Sequence, residues 1–319
     1  MALNVNAAIY GDAAVAAMSI VGRLMSVSYT HLDVYKRQVY LFLGLFVLVV
    51  LYPLIYVVSC SFSSPQDLVA GRVFLWPVNP GLQGYKAVLG DERVWSGYGN
   101  TIVYTVLGTL IGTAVTFIGA FVLSRKEFPM RGLLTTVFAI TMFFGGGTIP
   151  TYLLLKQLHM LNTVWSIVLP GAFNVWLAIV GRTFIQSSIP EELFEATCLD
   201  GGDYFQYLTR VVLPLAKPIL AVLALNFALT HWNSYYSALL YLNESVKFPL
   251  QLVLRNILLN NQVDITQMSS DALDMMNKQY LSELLKYSLI IISSVPLMIT
   301  YPFLQKYFIK GAMVGSVKG

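Results

Sequence analysis

Glu191-Glu192-Leu193-Phe194-Glu195-Ala196-Thr197-Cys198-Leu199-Asp200-Gly201-Gly202, followed by Val211-Val212-Leu213-Pro214, is a charged island in a chain that otherwise runs in long apolar stretches. Ser188 stands three residues before Glu191, the spacing of a capping box. Pro190 suits a first helical turn, where its missing N–H costs nothing. Glu191 and Glu192 sit where the helix dipole favours negative charge. These signals predict a short helix from about Ile189 to Leu199, closed at Asp200-Gly201-Gly202 because glycine takes a left-handed conformation at low cost. A second short helix is expected over about Asp203–Val212, stopped near Pro214 and Pro218. Leu193, Ala196, Leu199, Phe205 and Leu208 can then form an apolar side. Such a hairpin can rest on lipid headgroups, but glutamates dominate its first helix, which argues against anionic lipid and for a protein partner.

The chain around the island is that of a membrane protein. Of its 319 residues, 56% are hydrophobic and 11% charged, against about 25% charged in soluble domains. The mean hydropathy is +0.67. A membrane helix needs ~20 mostly apolar residues. Val39–Cys60, Thr101–Leu123, Gly132–Leu155, Val164–Val180, Pro218–Leu242 and Tyr287–Leu304 meet that need, the fourth being interrupted by Pro170, Gly171 and Asn174. The expected fold is therefore an all-α membrane bundle of six helices. Arg125, Lys126 and Arg131 between spans two and three, Lys36 and Arg37 before the first, and Lys306, Lys310 and Lys318 after the last fall on one side. The positive-inside rule makes that side cytoplasmic, with the island, Arg182, Arg210 and Lys217. Both termini are then cytoplasmic, and Ser61–Asn100 and Asn243–Lys286 lie outside, the latter with short helices expected over Leu254–Leu259 and Ala272–Tyr280.

Several chemistries are excluded. A nucleotide-hydrolysing loop needs G-x-x-x-x-G-K-[ST]. The glycine run Gly145-Gly146-Gly147 is followed by Thr148 and Ile149 and sits in an apolar span, where a kink or close packing is its expected role. The chain is thus not expected to be an enzyme or to bind a cofactor or metal itself. Ion-coupled carriers place Asp, Glu, Lys or Arg within the membrane, and the six spans contain none. His231 in the fifth lacks an intramembrane carboxylate, so a hydrogen-bonded packing role is expected of it. Cys60 and Cys198 form no metal or disulfide pattern. No basic stripe with interleaved aromatics suggests nucleic acid. Energy must then enter from outside the membrane domain, and the island is the visible place for it.

Glu195-Ala196-Thr197, three residues, Gly201, nine residues, then Val211-Val212-Leu213-Pro214 resembles the EAA signature of membrane subunits of binding-protein-dependent ABC importers. Thr197 stands for the usual third alanine and Val211 for the usual isoleucine. The resemblance covers roughly residues 39–319. It sharpens at Met142–Tyr152, at His231-Trp232-Asn233-Ser234-Tyr235-Tyr236, at Pro249–Arg255 and at Gln305–Gly311, where it is similar to the carbohydrate branch, the maltose-type smaller permease and its polysaccharide-uptake relatives. It implies a type I importer transmembrane domain over about 97–304, with the EAA loop at 187–218. By the same resemblance, Glu191, Glu192, Glu195, Ala196, Asp200, Gly201, Leu213 and Pro214 couple to an ATPase subunit that alone uses ATP. The implied partners are a second homologous permease, two ATPase subunits and an external solute-binding protein, in a bacterial plasma membrane. In such relatives the partner permease carries much of the sugar site.

Two further expectations concern other parts of the chain. Asn226, His231, Trp232, Asn233, Tyr235 and Tyr236 can line a sugar path, since aromatic faces stack on sugars; equally, Trp and Tyr populate membrane interfaces and Asn hydrogen-bonds between helices. Leu3–Leu24 resembles an internal piece of multidrug and toxin extrusion antiporters, and Ser26–Gln38 looks like translated linker. Residues 1–38 are therefore expected to be a chimeric join. A secondary antiporter, the rival reading that fragment suggests, would need ~12 spans and buried carboxylates by analogy; a membrane scaffold without transport is the other rival.

Overall fold

The computed structural model describes residues 12–267, 280, 282–299 and 302, and every regular element among them is helical. Helix α1 (Asp12–Phe62) runs unbroken across the Gln38–Val39 boundary. Its apolar part, Lys36–Phe62, has mean hydropathy 2.7 and an apolar face left uncovered by the other described residues, as a span bordered by lipid or by another membrane subunit requires. Its C-terminal end is tied down, with Cys60 fully buried beside Leu68, Val73 and Leu284 and Tyr56 edge-on to Tyr287.

The hub is α2 (Glu92–Ser124), 33 residues long. It starts nine residues before the predicted span because the Asp91 carboxylate accepts the Arg93 N–H at 2.9 Å and caps it. At 1.5 Å per residue it is about 50 Å long, longer than the ~30 Å hydrocarbon layer, so its first turns stand clear of the membrane. α2 crosses α7 (Lys217–Trp232) at glycines. A Cβ on Gly108 would lie 2.3 Å from the His231 ring, and one on Gly112 would lie 2.6 Å from Phe227. Small residues let membrane helices approach where no hydrophobic force drives them together. Phe117, Phe121, Leu177, Ile185 and Leu223 fill the core that α2, α7 and α5 (Val175–Ser188) share.

Three predicted spans are divided. Gly132–Leu155 is broken into α3 (Arg131–Phe143) and α4 (Thr148–Gln157), bent by 113°. The break is the glycine run: Gly147 has φ 83° and ψ 174°, a region open in practice to glycine alone. The kink reading thus holds, whereas a Cβ on Gly145 or Gly146 would meet nothing within 4 Å among the described residues. In place of Val164–Val180 there is a short helix, Val164–Val168, and then α5. Pro170 cannot continue the first, and the Asn174 side chain caps the second by accepting the Leu177 N–H at 3.0 Å. Pro218–Leu242 is divided into α7 and Tyr236–Tyr241. Among the described residues three continuous helices are long and apolar enough to cross a membrane, the third being α9 (Ser282–Ile299), and two bent pairs bring the number to five. The fourth predicted span, Val164–Val180, overlaps the 14-residue α5, which is too short to be counted as a span alone. The expected continuation of the last span to Leu304 lies, beyond Ile299 and apart from Pro302, outside the described residues.

Beyond α7 the helix α8 (Leu250–Gln267) replaces the shorter Leu254–Leu259 expected. The other helix expected there, Ala272–Tyr280, lies outside the described residues except for Tyr280. α8 packs Leu250, Val253, Leu254 and Ile257 against Val88, Val94, Leu285 and Leu289. Its first turn is pinned to α2 by the Leu250 N–H, which donates to the buried Thr101 Oγ1 at 2.8 Å.

Candidate functional site

The island forms a helical hairpin. α6 (Glu192–Leu199) begins later than predicted. Ser188 is the last residue of α5, Ile189 is extended, and Glu191 takes the N-cap with no side-chain bond to the backbone. The capping box therefore does not form. The Glu191 carboxylate is drawn instead to Lys126 Nζ at 2.6 Å and Arg125 at 3.3 Å, charge-assisted contacts about twice as strong as a neutral cap. The C-terminus closes as predicted. Gly201 has φ +76°, its N–H donates to Cys198 O at 3.0 Å, and the Gly202 N–H donates to Thr197 O at 2.8 Å, the double closure of a Schellman turn. Gly202 is a close approach as well, since a Cβ there would meet Thr197 at 2.6 Å.

The second helix opens at Asp203, whose carboxylate accepts the Gln206 N–H at 2.7 Å. It does not stop at Val212. Tyr207–Val212 widens into a π-turn, with the Leu213 N–H donating to Leu208 O, and the helix continues through Pro214 to Leu215 before bending 82° into α7. Pro214 has no N–H for the carbonyl one turn back, and a shifted register is a common way for a helix to absorb such a residue. Val212 and Ala216 are fully buried and Leu213 packs on the same core, while Pro214 is exposed. Leu213 thus anchors the hairpin to the bundle, and the helix turns just beyond Pro214.

Arg125 ties the hairpin to the hub. Arg125, the C-cap of α2, is only 8% exposed. Its guanidinium lies 4.3 Å from the centre of the Phe194 ring and 5.3 Å from that of Tyr207. Phe194 stacks on Tyr204 at 4.9 Å and meets Tyr207 edge-on at 5.1 Å. Arg125 Nε stands 3.4 Å from a Glu127 oxygen without hydrogen-bond alignment. The Glu127 backbone N–H and then Arg125 hold the Glu127 carboxyl below the usual carboxylate range, and Glu191 beside Lys126 raises its ammonium. Arg125 and Lys126, read from sequence only as orientation signals, are thus part of the site. Their partners lie 65 or 66 residues away, beyond any local spacing rule.

No residue of α6 is buried, and apart from the half-buried Phe194 and Thr197 its side chains are exposed. Glu192, Glu195, Ala196, Cys198 and Asp200 are exposed, and Leu199 and Phe205 are 89% and 70% exposed. Of the predicted apolar side, Leu193, Ala196, Leu199 and Phe205 are presented to the surroundings, and Leu208 packs inward.

The second set of candidates is partly assembled. His231, Asn233, Tyr235 and Tyr236 line a cleft of about 260 Å³ with Ser166, Thr230 and Ser234. Trp232 and Asn226 do not line it. The Trp232 ring is buried and donates to Ser293 O at 3.1 Å, and Asn226 is exposed along α7. His231 packs on Gly108 as expected, but the expected hydrogen bond is missing: its Nε2 is buried without a partner among the described residues. The Asn233 amide donates to Leu229 O at 2.9 Å, closing its own helix. No group of three metal-ligating side chains occurs among the described residues.

A bundle of broken and continuous spans, carrying an exposed acidic hairpin and no phosphate loop, defines a multi-span transport subunit. No family model matches the chain. It is 37% identical over 279 residues to the protein LplC of Bacillus subtilis, covering 88% of this chain and 93% of that one. It is 34% identical over 288 residues to the polygalacturonan/rhamnogalacturonan transport system permease protein YtcP of the same organism, covering 89% and 98%. Among solved structures, a chain from a bacterial ABC transporter involved in import of the acidic polysaccharide alginate superposes with a TM-score of 0.76 at 34% identity, over 86% of this chain and 97% of that one. The protein belongs to the family of permease subunits of carbohydrate ABC importers. The antiporter and scaffold readings are not favoured by these relatives.

Proposed function

We propose that α6 and its Gly201 turn are the surface on which an ATPase subunit docks, and that the hairpin carries that subunit's motion into the bundle. The observation that supports this most is the way α6 is held: one ring, Phe194, and one carboxylate, Glu191, fix it to α2, while Glu192, Leu193, Glu195, Ala196, Cys198 and Leu199 are exposed. Glu195, Glu192 and Asp200 supply charged contacts to the partner, Ala196, Leu199 and Phe205 an apolar one. Gly201 sets the turn, and Leu213 with Pro214 roots the lever at the bend into α7. ATP is used by the partner alone. The island side is cytoplasmic, as are both termini; a second permease, two ATPase subunits and an external solute-binding protein complete the importer. The permease proper is residues 39–319, and residues 1–38 are a join whose origin resequencing of the locus across codons 20–45 decides: a continuous native frame there defeats it.

The cargo is a sugar oligomer, in line with relatives named for polygalacturonan, rhamnogalacturonan and alginate. The cleft at His231, Asn233, Tyr235 and Tyr236, with Asn226 and Trp232 near it, is its path through this subunit. Gly201→Val forces a branched side chain into a left-handed turn. The variant is expected to insert normally but to co-purify poorly with the ATPase and to lose ATP-dependent uptake of labelled oligosaccharide into vesicles. Wild-type co-purification yield defeats the docking assignment.

A further inference from the structure

Beside Arg125, the C-termini of α2 and α5 and the N-termini of α3 and α6 border a cleft of about 640 Å³ lined by Arg125, Lys126, Arg131, Arg182, Ser188 and Glu191, with Tyr207 among the others. We infer that this cleft binds a phosphate-bearing anion, supplied by the headgroup of an anionic phospholipid.

The argument is one of uncompensated charge. Arg125 and Lys126 share Glu191. Glu192, the other carboxylate of the lining, is exposed. No carboxylate of a described residue lies within 4.0 Å of Arg131 or Arg182, although both are half-buried. An Arg182 guanidinium nitrogen donates to Thr135 Oγ1 at 3.3 Å, and that hydroxyl donates to the backbone carbonyl of Arg131 at 2.7 Å. Two arginines in the lining of one cleft without a carboxylate partner among the described residues recruit a counter-charge, and a guanidinium matches phosphate geometry.

Two further features suit an oxyanion. Arg131 is the first residue of α3, whose N-terminus no side chain caps, and such an end favours negative charge. Ser188, released from the cap the sequence predicts, lines the cleft, and its hydroxyl has Ser187 Oγ at 3.5 Å as its hydrogen-bond partner among the described residues. The C-termini of α2 and α5 also end here and oppose an anion. Each carries about half a charge, however, and each arginine a whole one; the Ser124 carbonyl is moreover engaged by Gln186 at 3.1 Å. The place selects the source. Two spans end and a third begins at this level, so it meets the headgroup layer, where basic pockets between membrane helices hold anionic headgroups.

The test is native mass spectrometry of the whole importer complex in detergent, supplied with phosphatidylglycerol, phosphatidylcholine or inorganic phosphate. Phosphatidylglycerol is expected to stay bound where phosphatidylcholine is lost, and R131Q/R182Q is expected to lower its retention roughly tenfold, about 1.4 kcal/mol. Displacement by excess inorganic phosphate would assign the same site to a soluble phosphate and overturn the lipid as its source. Equal retention of the two lipids, or retention of phosphatidylglycerol unchanged in R131Q/R182Q, overturns the site. So does a double variant that loses the ATPase but keeps the lipid, which would mark the arginines as a protein contact. If the double variant does not assemble, R131Q and R182Q singly carry the same test, and unchanged retention in both is decisive against it. The measurement does not depend on α6 docking an ATPase, so either assignment can fail alone.

Discussion

At the scale of single residues, Arg125 is the side chain on which the hairpin depends most. It is nearly buried, and its charge is offset by Glu191, Glu127 and two aromatic faces at once. Lysine keeps the charge but lacks the planar group that stacks. Arg125→Lys is expected to cost about 1–2 kcal/mol in cation–π and packing terms and to lower transport per ATP hydrolysed more than it lowers assembly; uptake and phosphate release measured on the same vesicles check this. A stoichiometry equal to wild type would show that Arg125 only fills space. Cys198 offers a second reading of the same surface. It is exposed on α6, whereas Cys60 is fully buried, so a maleimide added to the native protein reports on Cys198. Its labelling is expected to slow when the ATPase is bound, and an unchanged rate would place the partner elsewhere.

At the scale of elements, the informative places are those where helices break. The α3–α4 corner depends on Gly147, whose backbone conformation a side chain tolerates only at a cost of about 1–3 kcal/mol. Gly145 and Gly146 have free space around them. Gly147→Ala should therefore lower the thermal stability of the purified protein and its uptake activity, while Gly145→Ala and Gly146→Ala leave stability near wild type. Equal effects at all three would mean the run serves packing and not the bend. The glycine-closed end of α6 was legible in sequence because a Schellman turn is local, complete within six residues. Its N-terminus was not, because the competitors for Glu191 come from Arg125 and Lys126, which only the tertiary fold brings near. The π-turn at Tyr207–Val212 is a similar case: Pro214 announces a disturbance, but the burial of Val212 and Ala216 decides that the helix bends around it instead of ending.

At the scale of the whole molecule, α2 organises the bundle, and its crossing with α7 is close. A Cβ on Gly108 would occupy the space of the His231 ring. Gly108→Ala is expected to destabilise the protein by about 1–3 kcal/mol, the usual cost of overpacking. Adding His231→Ala should recover much of that loss, giving a coupling energy that a double-mutant cycle on thermal unfolding detects. Strict additivity would show that the two residues do not share the crossing. The long uncovered face of α1 fits the same picture. In lipid an apolar surface carries no penalty, so this span can stand apart from the core until another membrane subunit covers it.

Composition, the number and rough position of the apolar stretches, the glycine turn and the spacing from Glu195 to Pro214 were determined by sequence alone. Each rests on local chemistry: transfer of apolar side chains into lipid, glycine's freedom at positive φ, proline's missing donor. The tertiary structure decided where the spans break, which candidate side chains share a cleft, and what holds α6 in place. Those are matters of long-range contact. The charge of Arg125, the ring of Phe194 and the carboxylate of Glu191 become one structure only when α2 and the hairpin are packed together, and no local pattern encodes a partner some 65 residues away.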